Sequence, residues 1–159
     1  MSKIKIIFLD VDGVLNSQIM YENREDIISG KGKISKKCLD LLNHIIEKTN
    51  AKIVLSSTWR SDEDIKEYFY SIGLKGEIIG KTPHINFKGA VRGIEILEWL
   101  KDNREIIKCN YHEFNSYVIL DDDSDMLLWQ ANNFYRVDAY CGITPNLAYC
   151  VINFLNSFN

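Results

Sequence analysis

Apolar residues fall along this chain as short unbroken runs closed by an acid or a serine, alternating with stretches in which they recur every three or four positions. Ile4 to Leu9 is a nearly continuous run stopped by Asp10, which predicts a strand covered on both faces. Ser35 stands where it can cap a helix carrying Leu39, Leu42, Ile45 and Ile46 at helical spacing, and Ala51 to Leu55 reads as a second buried strand ending at Ser56. The alternation continues with a helix from Asp62 to Ser71 closed by Gly73, a short strand at Glu77 to Ile79, and a helix from Gly89 to Lys101. A strand at Tyr117 to Leu120 follows, then a short helix from Ser124 to Ala131, a strand at Tyr135 to Val137, and a last helix from Pro145 to Phe154. Strands alternating with helices predict an α/β fold: a doubly wound, mainly parallel, Rossmann-like sheet whose ligands sit outside the carboxyl ends of the strands.

The chain has 159 residues and a formal net charge of −3, and it contains no linker or repeat, so residues 1–159 are expected to form a single domain. The acidic balance removes the global basic footprint of a protein that grips duplex nucleic acid through its phosphates. Four scattered cysteines without a Cys-x-x-Cys pair, and no apolar stretch of membrane-spanning length, predict a cytoplasmic protein with reduced thiols.

The polar residues at the predicted strand ends are Asp10 and Asp12, then Ser56 and Ser57, then Asp121 and Asp122, all converging on one crevice. Carboxylates crowded there repel by roughly 4 kcal/mol per pair at about 4 Å and an effective dielectric near 20. A cation must balance them, and a donor set of oxygens only points to Mg²⁺. A carboxylate beside Mg²⁺ can attack phosphorus, which makes Asp10 the candidate nucleophile. Asp12, past the turn, is the candidate acid/base, and Gly13 relieves crowding where the chain bends.

The motifs Asp10-Val11-Asp12-Gly13-Val14, Leu55-Ser56-Ser57 and Leu120-Asp121-Asp122, in this order, resemble the haloacid dehalogenase-like (HAD) superfamily of aspartate-nucleophile phosphohydrolases. The resemblance implies Asp10 as nucleophile, Asp12 as acid/base, Ser56 as phosphate-binding hydroxyl, a basic third-motif residue, and Asp121 and Asp122 as metal ligands. Mg²⁺ would be held with Asp10 and the backbone carbonyl of Asp12, with Ser57 and Gly13 close to the phosphate. Arg92, Lys88 and Lys81 all qualify as the third-motif cation. Arg92 is chosen because Arg92-Gly93-Ile94-Glu95-Ile96-x-x-Trp99-Leu100 is similar to the small RNA-repair-associated branch.

Ser56-Ser57-Thr58-Trp59-Arg60, with Asp125 and Trp129 after the fourth motif, is similar to the phosphatase module of phage-type polynucleotide kinase-phosphatases. In that light Arg60 is either a substrate-phosphate ligand or a structural ion pair, and Trp59 either stacks on a base or packs at the sheet edge. Trp99 and Trp129 are expected in the core. His44, His84 and His112 lack metal-like spacing and are expected to be surface or structural, with His84 after Pro83 the one candidate for a substrate-facing loop residue.

Only 43 residues separate Asp12 from Ser56 and 35 separate Ser56 from Arg92, so no cap domain is expected over the crevice. An open site suits a bulky substrate, and the terminal phosphate of a nucleic acid or nucleotide is the expected target. Lys31, Lys33, Lys36 and Lys37 form either a basic rim for such a polyanion or a solvated loop. A small-molecule or phosphoprotein phosphatase on the same residues, or a non-catalytic phosphate-binding module, are the alternatives. The site residues read the phosphoryl group and the metal, so 3′ and 5′ ends stay equivalent at this level.

Overall fold

The computed structural model describes residues 3–159. Its strands are β1 (Ile6–Leu9), β2 (Ile27–Ser29), β3 (Lys33–Ser35), β4 (Lys52–Leu55), β5 (Ile78–Lys81), β6 (Tyr117–Asp121) and β7 (Phe134–Arg136). The helices are α1 (Gln18–Asn23), α2 (Lys36–Thr49), α3 (Ile65–Ser71), α4 (Arg92–Asp102), α5 (Arg104–Ile107) and α6 (Pro145–Asn156). Five strands form a parallel sheet in the order β5-β4-β1-β6-β7, while β2 and β3 make a separate antiparallel hairpin. The parallel, doubly wound sheet expected from the alternation of runs is therefore present.

Side chains alternate across the sheet, and the two faces have separate cores. Ile7, Leu9, Ile53, Leu55, Val118 and Leu120 pack under α2, α3 and α6. Ile6, Phe8, Val54, Tyr117 and Ile119 pack under α4 and α5, where Trp99 is buried as expected and meets Phe8 edge to face at 5.4 Å. Ser35 caps α2 by accepting from Cys38 N at 3.2 Å, and Thr144 caps α6 ahead of Pro145.

Several boundaries move for local reasons. Asp62 Oδ1 accepts from Asp64 N at 2.9 Å, so the expected helix from Asp62 starts at Ile65, preceded by a 3₁₀ turn at Thr58–Ser61. The expected helix at Ser124 to Ala131 is absent. Asp121 Oδ1 accepts from Asp123 N at 3.0 Å and Asp123 Oδ1 from Ser124 N at 2.7 Å, which holds the chain in a loop with one 3₁₀ turn at Leu128–Gln130. Trp129 is consequently 46% exposed rather than core.

Two elements that the periodicity did not predict lie between β1 and α2, namely α1 and the β2–β3 hairpin. The hairpin tip is docked. A Cβ on Gly30 would come within 2.5 Å of the Tyr68 ring and one on Gly32 within 2.1 Å of the Trp59 ring, while Tyr68 donates to Gly32 O at 3.2 Å. Lys31 pairs with Asp62 at 2.7 Å and Lys36 with Asp40 at 2.6 Å, so two of the four clustered lysines are engaged by neighbouring acids. No helix among the described residues is long and apolar enough to cross a membrane.

Candidate active site

The register of the three central strands builds the site. Leu9 pairs with Leu55 on one side and Leu120 on the other, so the next residues, Asp10, Ser56 and Asp121, stand in one row at the carboxyl ends of β1, β4 and β6. Backbone bonds hold that row, with Asp10 N donating to Leu120 O at 3.0 Å and Ser56 N to Leu9 O at 2.9 Å. Period-two alternation turns the row toward α4. There Arg92, the first residue of α4, brings Nε to 3.4 Å from Asp121 Oδ2.

Asp10, Asp121 and Asp122 each offer a carboxylate oxygen within 4.8 Å of the others. Gly13 makes this approach possible. Its φ is +75°, and a Cβ there would lie 2.6 Å from Asp122 Cγ. Asp121 Oδ2 is buried with no hydrogen-bond partner, and so is Ser56 Oγ. A group of hard oxygens that includes a buried carboxylate oxygen without a hydrogen bond, faced only by the Arg92 guanidinium at ion-pair distance, fits a small divalent cation.

Burial pushes the Asp10 and Asp121 carboxyls above the usual carboxylate range, and the charge of Asp10 pushes Asp121 further. The Val11 N–H, then Arg92 and Ser57, pull Asp10 partly back. Folded carboxyls with raised pKa bind protons more tightly than unfolded ones. Without metal, their contribution to stability therefore falls as pH rises from the ordinary carboxylate range through the raised values. Asp121→Asn removes one of the charges and is expected to stabilise the metal-free protein by about 1–3 kcal/mol near neutral pH and by far less near pH 4. Denaturant unfolding in chelator reads this difference, and an equal effect at both pH values would contradict it.

Asp12 stands apart from the acidic cluster. Asn16 Nδ2 donates to its Oδ1 and Trp59 Nε1 to its Oδ2, both at 2.9 Å, and Gly13 N donates to Asn16 Oδ1 at 2.9 Å. Trp59 thus neither lies free as a stacking platform nor simply packs at the edge. It is stacked near Phe69 with its N–H aimed at Asp12. Asn16 lay four residues past Asp12 in plain sight, and that spacing was the available signal.

Of the three candidate cations, Arg92 alone lines the crevice. Lys81 Nζ donates to Arg60 O and Asp62 O, both at 3.0 Å, and Lys88 is exposed on the loop before α4. Arg92 is held from three directions. Asp125 accepts from its backbone N at 2.8 Å, capping α4 in place of Val91, while Glu95 Oε2 takes its Nη1 at 3.2 Å and Asp121 faces its Nε.

Arg60 points elsewhere than expected of a substrate ligand. Its side chain is buried, with Nη1 donating to Ser56 O at 2.9 Å and Ser57 O at 2.8 Å. Nη2 reaches Glu95 Oε2 at 2.8 Å and His84 Nδ1 at 3.0 Å. The residue clamps the loop after β4 from behind, and His84 serves that clamp rather than facing substrate. Ser56 and Ser57 are fully buried, and Thr58 is the residue of this loop that lines the crevice.

The crevice is open, about 660 Å³, and floored by Asp10, Asp12 and Asp122 with Arg92 beside them. The insertion between β1 and α2 amounts to α1 and the hairpin, and among the described residues no cap domain stands over the crevice. No curated protein sequence matches the chain. The model of the HAD domain in Swiss Army Knife RNA repair proteins matches residues 6–148. A match over most of the length, on a parallel sheet with its acids at the strand ends, means that the chain belongs to this family of capless HAD-like domains, whose type is that of a phosphohydrolase.

Proposed function

We propose that the chain is a Mg²⁺-dependent phosphohydrolase that works through an aspartyl-phosphate on Asp10 and removes the terminal phosphate of a nucleic acid or nucleotide. The observation that carries this reading is the row of Asp10, Ser56 and Asp121 with Arg92 beside it and Asp12 standing just outside the acidic cluster. The uncovered crevice and the RNA-repair setting of the family favour a polynucleotide end over a free metabolite. The same reading takes residues 1–159 as one catalytic unit of the cytoplasm.

Asp10, Asp121 and Asp122 would hold the ion, which supplies positive charge to the attacking carboxylate and the phosphoryl oxygens. An Asp10 carboxylate oxygen forms a bond to phosphorus as the bond to the leaving oxygen breaks, and that oxygen takes a proton from Asp12. Water then attacks phosphorus, gives its proton back to Asp12, and releases the Asp10 carboxylate with inorganic phosphate. Asn16 and Trp59 fix the plane of the Asp12 carboxylate and leave each oxygen a free lone pair for that proton. Arg92 and Thr58, which line the crevice, offset the charge of the phosphoryl group in the transition state, with the buried Ser56 and Ser57 hydroxyls behind them.

The test is phosphate release from 3′- and 5′-phosphorylated oligonucleotides, nucleoside monophosphates, a phosphopeptide and an aryl phosphate, with Mg²⁺ and with chelator. Mg²⁺-dependent release with a preference for an oligonucleotide end or a nucleotide is expected. Preference for the phosphopeptide would move the substrate class, and tight phosphate binding without turnover on any member would make the domain a binding module.

A further inference from the structure

The crevice extends past the acids along α1, where Gln18, Tyr21 and Glu22 form one wall. None of these side chains takes part in the phosphoryl chemistry described above. Tyr21 is 45% exposed, a large ring left open to the same space as Asp10 and Asp12. Lys33 Nζ, reaching over from β3, lies 5.6 Å from the ring centroid, within cation–π range. Tyr21 and the acid/base Asp12 line the same crevice, so a group bonded to the phosphoryl centre comes within reach of the ring.

The wall also carries a charge pattern. Glu22 is fixed by Gln18 Nε2 on Oε1 at 2.7 Å and by the Tyr140 hydroxyl on Oε2 at 3.4 Å. Asp12 and Glu22 place two carboxylates on this arm and Lys33 one ammonium over the Tyr21 ring, so the arm favours a flat group that carries hydrogen-bond donors. A flat ring bearing hydroxyl or amino donors meets both requirements, since its face stacks on tyrosine and its donors reach a carboxylate.

Resting on the phosphohydrolase reading, we infer that the α1 wall is the leaving-group subsite and receives the nucleoside next to the scissile phosphate, with its base stacked on Tyr21 and its polar donors toward Glu22. Tyr21 is then a specificity residue. The site selects a phosphate carried by a nucleoside over one carried by a ringless alcohol.

The experiment compares kcat/KM for a phosphorylated trinucleotide with kcat/KM for glycerol phosphate, in wild type, Tyr21→Ala and Tyr21→Phe. Tyr21→Ala is expected to lower the ratio of the two by about ten-fold, mainly through KM for the trinucleotide, and Tyr21→Phe to keep it because stacking needs the ring. An unchanged ratio in Tyr21→Ala overturns the subsite. A parallel measurement removes dependence on turnover: Asp10→Asn protein is titrated with labelled trinucleotide in Mg²⁺, with and without Tyr21→Ala. Weakening by about ten-fold supports the subsite even if no substrate is hydrolysed, and equal affinities overturn it even if hydrolysis is robust.

Discussion

Asp10→Asn is expected to bring Mg²⁺-dependent phosphate release down to background on every substrate, while the protein stays folded. The substitution keeps the volume at the end of β1 and removes the only group in the row that can attack phosphorus from that position. Asp12→Asn should behave differently, because its role is proton transfer. For an alkyl ester end the loss is expected to be about 10²–10⁴-fold, and smaller for an aryl phosphate, whose phenolate departs without a proton. The second half-reaction still needs a base, so acid-quenched Asp12→Asn protein mixed with labelled aryl phosphate should carry label on the chain. Asp10→Asn should carry none. Label in Asp10→Asn, or turnover near the wild-type rate, would remove Asp10 from the nucleophile role and leave Asp12 or water to be considered.

The three central strands and the row of acids were legible because each of these strands is a short, mostly apolar run that ends abruptly in Asp or Ser, as expected of strands covered on both faces. Ile6–Leu9, Lys52–Leu55 and Tyr117–Asp121 all carry this mark. The insertion after Asp12 carries a weaker one. Helix α1 has six residues, too few for a periodicity to emerge, although Ser17 accepting from Met20 N at 3.3 Å gives it an ordinary cap. The hairpin pairs only three residues per strand across Gly30-Lys31-Gly32, and its stability comes from Trp59 and Tyr68, 27 or more positions away in sequence. Trp129 shows the opposite failure. Its segment contains helix-forming residues, but the acids that end β6 bond to the following backbone N–H groups and keep the segment in a loop.

The crevice side of the site was legible from motifs, whereas its support was hidden because it is built from residues distant in sequence. Glu95 illustrates this. On the sequence it is one acid of a helix, yet in the fold Oε2 receives Arg60 at 2.8 Å and Arg92 at 3.2 Å, joining the loop after β4 to the cation of α4. Gly93 lets α4 press on the loop after β6, since a Cβ there would meet Leu127 N and Gln130 Oε1 at 2.5 Å. Gln130 in turn donates to Gly93 O at 3.0 Å. The loops after β4 and β6 are thus joined through α4 behind the crevice.

That arrangement separates the two roles open to Arg60. As a substrate ligand it would be removable at a cost in affinity alone, because an exposed guanidinium leaves nothing unpartnered behind. In the fold its side chain is only 3% exposed and its donors go to Ser56 O, Ser57 O and Glu95. Arg60→Met is therefore expected to destabilise the protein by about 3–5 kcal/mol, as truncating one partner of a buried pair does, since the carbonyls and Glu95 lose their donor while remaining dry. Glu95 keeps Arg92, so the cost should sit near the lower end. Combining Arg60→Met with Glu95→Leu should cost less than the sum of the two single changes, because the second removes the charge the first leaves stranded. Denaturant unfolding of the four proteins measures the coupling. A fully stable Arg60→Met whose only defect is a raised KM would return Arg60 to the substrate.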